Sequence, residues 1–155
     1  MDISYNALLE ETIEALTTHK IWVLATSAHD HVTARSMSIV NDGLTIYFQT
    51  HRSFIKYRQI EHNKNVALCH NNIQIEGEAI IRGNVLNGSN DTFLELYQRD
   101  HAESYRVYGK LEGQVVIEVK PTKVTYWKYI DHIPYKDILD IVNTQAIREE
   151  QEHIS

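Results

Sequence analysis

Thr50, Ser53 and Lys56 stand at three-residue intervals, a T-x-x-S-x-x-K arrangement. If a strand ends at Thr50 and a helix opens at Ser53, that spacing brings two hydroxyls, free backbone N–H groups and an ammonium to one junction. Unpaired N–H groups and the positive end of a helix dipole favour an anion, and a lysine adds a point charge, so the chemistry on offer is capture of a phosphate dianion. Arg35 belongs to the same strand, turn, strand, helix unit, which spans Ala34 to Asn63. The residues also fit an ordinary capped helix with Lys56 and Arg52 in solvent, and on the residues alone both readings stand.

Nine histidines raise the question of a metal. His29 and His31 are two apart and His70 neighbours Cys69, but there is no H-E-x-x-H and no C-x-x-C, and metal sites need three or four convergent ligands. His29 and His31 read as a polar turn. Cys69, the single cysteine, falls in an expected strand, where a lone thiol is commonly a small buried hydrophobe. The aromatic run Tyr126, Trp127, Tyr129 suits stacking on a ligand, but its alternation favours core or dimer-interface packing, and Tyr97, Tyr105 and Tyr108 are read in the same way.

The elements that must position these groups follow from hydrophobic period. Tyr5, Leu8, Leu9, Ile13 and Leu16 recur at helical spacing. Ile21 to Thr26 reads as a buried strand, and a second runs from about Val32 to Val40. Asn41-Asp42-Gly43 signals a hairpin into a third strand, Leu44 to Thr50. Phe54, Tyr57 and Ile60 mark a helix over Ser53 to His62 with Ser53 as N-cap. Val66 to His70 and Ile73 to Ile81 are further strands, with Gly77 and Gly83 as bulges. Asn90 or Ser89 caps a helix carrying Phe93, Leu94, Leu96 and Tyr97. Gln114 to Lys120 and Lys123 to Ile130 close the sheet, separated by Pro121, and Ile147 to Ser155 is polar enough to fray. Six or seven strands in hairpin succession with inserted helices argue for an α+β fold, an antiparallel barrel with flanking helices.

The chain has 155 residues, 43% of them hydrophobic, and a formal net charge of −6. That size supports one domain over residues 1–155, and the charge argues against a broad grip on nucleic acid or anionic lipid. No apolar run approaches the roughly 20 residues of a membrane-spanning helix. One cysteine excludes an intrachain disulfide, and the first residues lack a basic, then apolar, leader, so a cytoplasmic protein is expected.

The segments A-R-S-M-S-I-V, N-D-G, L-T-I-Y-F-Q-T, the Lys56 helix ending in R-Q-I-E-H-N, N-V-A-L-C-H and I-Q-I-E-G-E-A follow one another in the order and spacing of a known family. From Ile21 to Tyr129 the chain resembles the FMN-binding split-barrel families, which include pyridoxamine 5′-phosphate oxidase and the smaller general-stress and flavin-reductase-like proteins. The resemblance implies that Arg35, Ser36, Met37 and Ser38 line the isoalloxazine ring of FMN while Thr50 and Lys56 hold its phosphate. Asn72 matches a glutamine that reaches the flavin from the partner subunit, so a homodimer comes with the cofactor. Two positions depart from the oxidase: Phe54 and Ile55 replace a Ser-Arg pair of phosphate contacts, for which Ser53 or Arg52 stands in from next door. No copy of the oxidase's C-terminal substrate segment is found, so oxidation of pyridoxamine phosphate itself is not expected. The function implied is an FMN-dependent oxidoreductase passing electrons from a reduced nicotinamide cofactor to a small acceptor. The alternatives are a non-catalytic flavin- or haem-binding barrel and, last, a dimeric scaffold that binds nothing.

Overall fold

The computed structural model describes residues 1–152. Its elements run α1 (Tyr5–Thr18), β1 (Ile21–Ala28), β2 (His31–Ser38), β3 (Val40–Asp42), β4 (Thr45–His51), α2 (Ile55–His62), β5 (Asn65–His70), β6 (Ile73–Asn84), α3 (Asp91–Asp100), α4 (Ala102–Tyr108), β7 (Gln114–Ile130), β8 (Ile133–Asp140) and β9 (Gln145–Glu150). The strands form one antiparallel sheet in the order β2-β1-β5-β6-β7-β4-β3, with β8 on β7 and β9 on β8. This is the expected α+β barrel with flanking helices, but with nine strands in place of six or seven.

Local chemistry explains most of the hairpins. His29 and Asp30 both take left-handed backbone angles, φ 49 and 62, so β1 turns into β2 through two residues whose twist suits a hairpin. Gly43, at φ +60, makes the turn between β3 and β4, where the Asn41 amide donates to the Gly43 carbonyl at 3.0 Å. The strand expected over residues 32–40 is interrupted at Ile39, which is fully buried and whose N–H donates to the Lys20 carbonyl at 2.9 Å.

β7 is one strand of 17 residues, not two separated at Pro121. β6 flanks it along most of its length, while its other edge pairs with β4 at Gln114–Val119 and with β8 at Lys123–Ile130. Pro121 lies between these two partners and opposite Gly77, at a register shift in the β6–β7 ladder. A residue without an N–H is tolerated where the ladder is already interrupted. The tail also differs from expectation. Residues 147–150 do not fray: they belong to β9, where Ala146 is buried and Arg148 pairs with Asp137. Residues 153–155 of the expected frayed tail lie outside the described residues.

The main core gathers Trp22, Leu24, Phe48, Leu68, Ile75 and Ile117 inside the barrel, with α1 inserting Leu8 and Leu16. A second, smaller core of Val40, Val85, Phe93, Tyr97 and Val116 lies where α3 packs on the sheet. Among the described residues no helix is long and apolar enough to cross a membrane.

Candidate functional site

A cavity of about 640 Å³ opens where β2, β4, the start of α2 and the α3–α4 unit meet. Ser36, Met37 and Ser38 come to it from β2, Gln49, Thr50 and His51 from the end of β4, and Ser53, Phe54 and Lys56 from the turn into α2; Tyr97, Ser104, Tyr108, Leu111 and Gln114 complete the wall. Six of the eight residues singled out in the sequence therefore meet in one place.

Thr50 ends the inward row Ile46, Phe48, Thr50 of β4 and is buried, yet its hydroxyl has only a 3.5 Å contact with the His51 carbonyl. That is too long to count as a firm bond, so a buried donor is left largely uncommitted. Ser53 is not the N-cap of α2. The cap position is Phe54, which makes no side-chain capping bond, and the Ser53 hydroxyl lies 2.7 Å from His51 Nδ1. The Ser53 backbone N–H donates to the same nitrogen at 3.1 Å, and the His51 ring stands where any side chain at Gly113 would be. Serine caps by accepting from the next turn; here the neighbouring histidine holds that hydroxyl instead.

Lys56 is half-buried, and among the described residues no carboxylate lies within ion-pair reach of it. Its ammonium lies 4.6 Å over the Phe54 ring. Burial, and then the positive charge of Arg35, hold Lys56 below the usual lysine range. A lysine that is part-desolvated and faces a like charge is short of an anion.

Arg35 does not line the cavity. Its guanidinium donates to the Leu24 carbonyl at 3.1 Å, to Thr26 Oγ1 at 2.9 Å and to Thr33 Oγ1. Those two hydroxyls in turn donate to Gln59 Oε1 at 2.5 and 2.7 Å, and Gln59 Nε2 donates to the His31 carbonyl at 3.0 Å. Gln59 thus fixes the arginine from inside α2. Asn72 is also away from the cavity, exposed at the start of β6 with Nδ2 donating to the Trp127 carbonyl at 2.9 Å. Cys69 is exposed, because the face of β5 that carries it is the outer one, opposite Leu68.

The sequence reading missed Gln49, His51, Ser104, Leu111, Gln114 and the interior Gln59, and for Tyr97 and Tyr108 favoured packing over contact with a ligand. Alternation along L-T-I-Y-F-Q-T-H does put Gln49 and His51 together on the face opposite Thr50. The α3–α4 contribution is purely tertiary. Burial pushes the Tyr97 phenol up, against the lowering influence of the Ser104 hydroxyl beside it, so Tyr97 is a proton-bearing donor. Among the described residues no three His, Cys, Asp or Glu side chains converge as a metal site.

Residues 8–128 match the family model described as pyridoxamine 5′-phosphate oxidase. Solved structures with the same fold include general stress protein 26 of Bacillus anthracis str. Sterne, 23% identical over 76% of this chain and 92% of that one, with a TM-score of 0.58. PhzG of Burkholderia lata 383, solved with tetrahydrophenazine-1-carboxylic acid, is 14% identical over 96% of this chain and 89% of its own, TM-score 0.61. A heme binding protein of Mycobacterium smegmatis is 14% identical over 81% of this chain and 55% of its own, TM-score 0.62. No curated protein sequence matches the chain.

Proposed function

The chain belongs to the pyridoxamine 5′-phosphate oxidase family, and on that footing we propose that it is an FMN-dependent oxidoreductase, with FMN held in a cleft between two protomers. It passes electrons between a reduced nicotinamide cofactor and a small acceptor. The observation that carries this reading is Lys56, a half-buried cation with a cation for its charged neighbour, set beside the uncommitted Thr50 hydroxyl. The donor set fits a phosphate dianion. When bound, FMN supplies the two-electron chemistry, and the protein supplies grip, orientation and field.

In this scheme Lys56 and Thr50 hold the phosphate, and Ser53 joins them by releasing His51. Ser36, Met37 and Ser38 line the ring. Arg35, tied down by Thr26, Thr33 and Gln59, acts through its charge without entering the cavity. Phe54 and Ile55, which replace two phosphate contacts of the oxidase, leave a smaller grip. The homodimer has its own support: the outer face of β1 and β2 exposes Ile21, Val23 and Val32, and Trp127 is exposed beside Asn72. Ser36 shares the outer row of Val23 and Cys69, so a second copy on this face would lie beside the cavity rim.

A non-catalytic flavin- or haem-binding barrel is the second reading, favoured by the fold shared with the Mycobacterium smegmatis heme binding protein. Against haem, the His51 imidazole in the cavity is engaged by Ser53 and packed on Gly113, which leaves it poorly placed as an iron ligand.

The absorption spectrum of the isolated protein separates flavin, haem and neither. With FMN added, the wild type is expected to show thermal stabilisation, and Lys56→Ala to bind FMN about tenfold or more weakly, about 1.4 kcal/mol or more. Unchanged FMN affinity in Lys56→Ala would remove the phosphate assignment. A bound flavin that no reduced nicotinamide reduces would favour the second reading.

A further inference from the structure

The part of the cavity beneath α3 and α4 differs chemically from the part at Lys56. Gln49, Tyr97, Ser104, Tyr108, Leu111 and Gln114 form its wall, and none carries a formal charge. Of the charged groups on the two helices, Arg99 pairs with Asp100, which also takes Lys20, and Arg106 pairs with Glu103, and no charged side chain of either helix lines the cavity. His101, its ring tilted 45° to that of Tyr97, directs Nε2 to the Ile39 carbonyl at 2.7 Å. An anion seated here would lose its water with no counter-charge to replace it.

Gln49 adds a direction. Its Nε2 donates to the Tyr108 carbonyl at 3.2 Å, which fixes the amide so that Oε1 points away from that carbonyl. Oε1 is the one buried side-chain polar atom among the described residues without a hydrogen-bond partner. An orphaned buried acceptor is satisfied by an N–H or O–H from outside the chain. The oxygen is covered by the Tyr108 turn, and α4, which buries none of its own side chains, would have to shift for a ligand to reach it. Across this wall the Tyr97 and Ser104 hydroxyls offer donors, and the aromatic faces of Tyr97 and Tyr108 suit a flat ring.

Taking the flavin reading for the Lys56 end, we propose that this half of the cavity binds an uncharged planar ring bearing an N–H or O–H donor, for which a carboxamide on the ring is the matching group. Its N–H donates to Gln49 Oε1 and its carbonyl accepts from the Tyr97 hydroxyl. A phosphate or carboxylate group seated directly against this wall is disfavoured.

Three probes share one ring and differ in charge, donor capacity and, for the dimethyl amide, bulk: nicotinamide, nicotinate and N,N-dimethylnicotinamide. Titrated by ligand-observed NMR into the full-length protein loaded with FMN, nicotinamide is expected to bind about tenfold or more tightly than nicotinate, and several-fold more tightly than the dimethyl amide. Gln49→Leu should erase the advantage over the dimethyl amide and keep that over nicotinate. Ser104→Arg, which supplies the missing cation, should raise nicotinate binding toward or above that of nicotinamide. Nicotinate binding the wild type as well as nicotinamide does, or none of the three binding, overturns the proposal. FMN retention is read separately from the flavin spectrum, and the titration is repeated on flavin-free Lys56→Ala. If FMN never binds but the preference for nicotinamide persists there, the cofactor reading falls and this one stands; if FMN binds and the preference is absent, this one falls alone.

Discussion

Arg35 and Lys56 are like charges close enough for one to weaken the other's hold on its proton, and the chain tolerates this only by tethering the arginine to Thr26, Thr33 and Leu24. Without an anion, the folded protein binds the Lys56 proton less tightly than the unfolded chain does. Stability then rises with pH across the window below the usual lysine value of 10.5. Tyr126 works in the opposite sense. Burial, offset in part by the Thr12 hydroxyl at 2.8 Å, pushes its phenol from 10.0 up to about 12. Its contribution is complete below pH 10 and is lost as pH climbs toward 12. Tyr126→Phe should cost about 1 kcal/mol at neutral pH through the lost hydrogen bond, and should flatten the alkaline fall in stability; urea melts from pH 8 upward check both. At this scale the sequence was informative wherever neighbours in the chain are neighbours in space. Thr50, Ser53 and Lys56 meet because a strand end and a helix start are consecutive. Gln59 left no signal and the place of Tyr97 in the cavity could not be read, since their partners come from β1, β2 and α4, and Ser53 was misread because His51, two residues earlier, competes for its hydroxyl.

Among the elements, β7 shows what periodicity conveys and what it does not. Both apolar halves were legible, but Pro121 reads as a terminator in sequence, whereas in the sheet it marks the point at which one edge changes partner from β4 to β8. Gly77 faces it for a steric reason: a Cβ there would stand 2.7 Å from the Lys120 carbonyl oxygen and 2.9 Å from Val119 Cγ1. Backbone cannot yield as a side-chain tip can, so Gly77→Ala should destabilise by about 1–3 kcal/mol, seen as a Tm lowered by roughly 2–8 °C without loss of the β-sheet circular dichroism. β8 escaped detection because its inward row carries Asp137 beside Leu139, and a charged residue at a core-facing position erases the alternation that betrays a strand. Pro134, near its start, weakens the pattern further.

At the level of the whole molecule, Asp137 shows why the tail is ordered. Burial alone would raise its carboxyl, but hydrogen bonds from Arg148 and Lys128 hold it below the usual carboxylate range. Lys128 also reaches Glu11 of α1, at 2.9 Å, so β7, β8, β9 and α1 meet at one ionic knot. Arg148→Ala removes one of the two cations that hold this buried carboxylate and leaves Lys128 at 3.2 Å, so a loss of about 1–3 kcal/mol is expected at pH 7 by urea unfolding. The deficit should shrink in acid, because a carboxyl depressed in the folded state lends its stability above the unfolded value of 3.8 and loses it as pH falls. The hairpins could be read from sequence, but the closure of the barrel could not: it depends on pairings between distant segments that leave no local signature.

β4 pairs with β7 at sequence separations of 63 to 73 residues. At a synthesis rate of about 5–20 residues per second, that edge waits roughly 3–15 s on the ribosome for its partner. During the wait, β3 covers one side of β4 at Thr45–Tyr47, but the β7-facing edge of Thr45–His51 is unsatisfied and largely uncharged, the kind of edge that recruits chaperones or pairs with a neighbouring nascent chain. A chain stopped just before Gln114 should therefore aggregate in a solubility assay, whereas one extended through Ile130 should be recovered in larger part as soluble protein. The long strand that gives the barrel its shape would also set the moment in translation at which the protein becomes safe from its own edges.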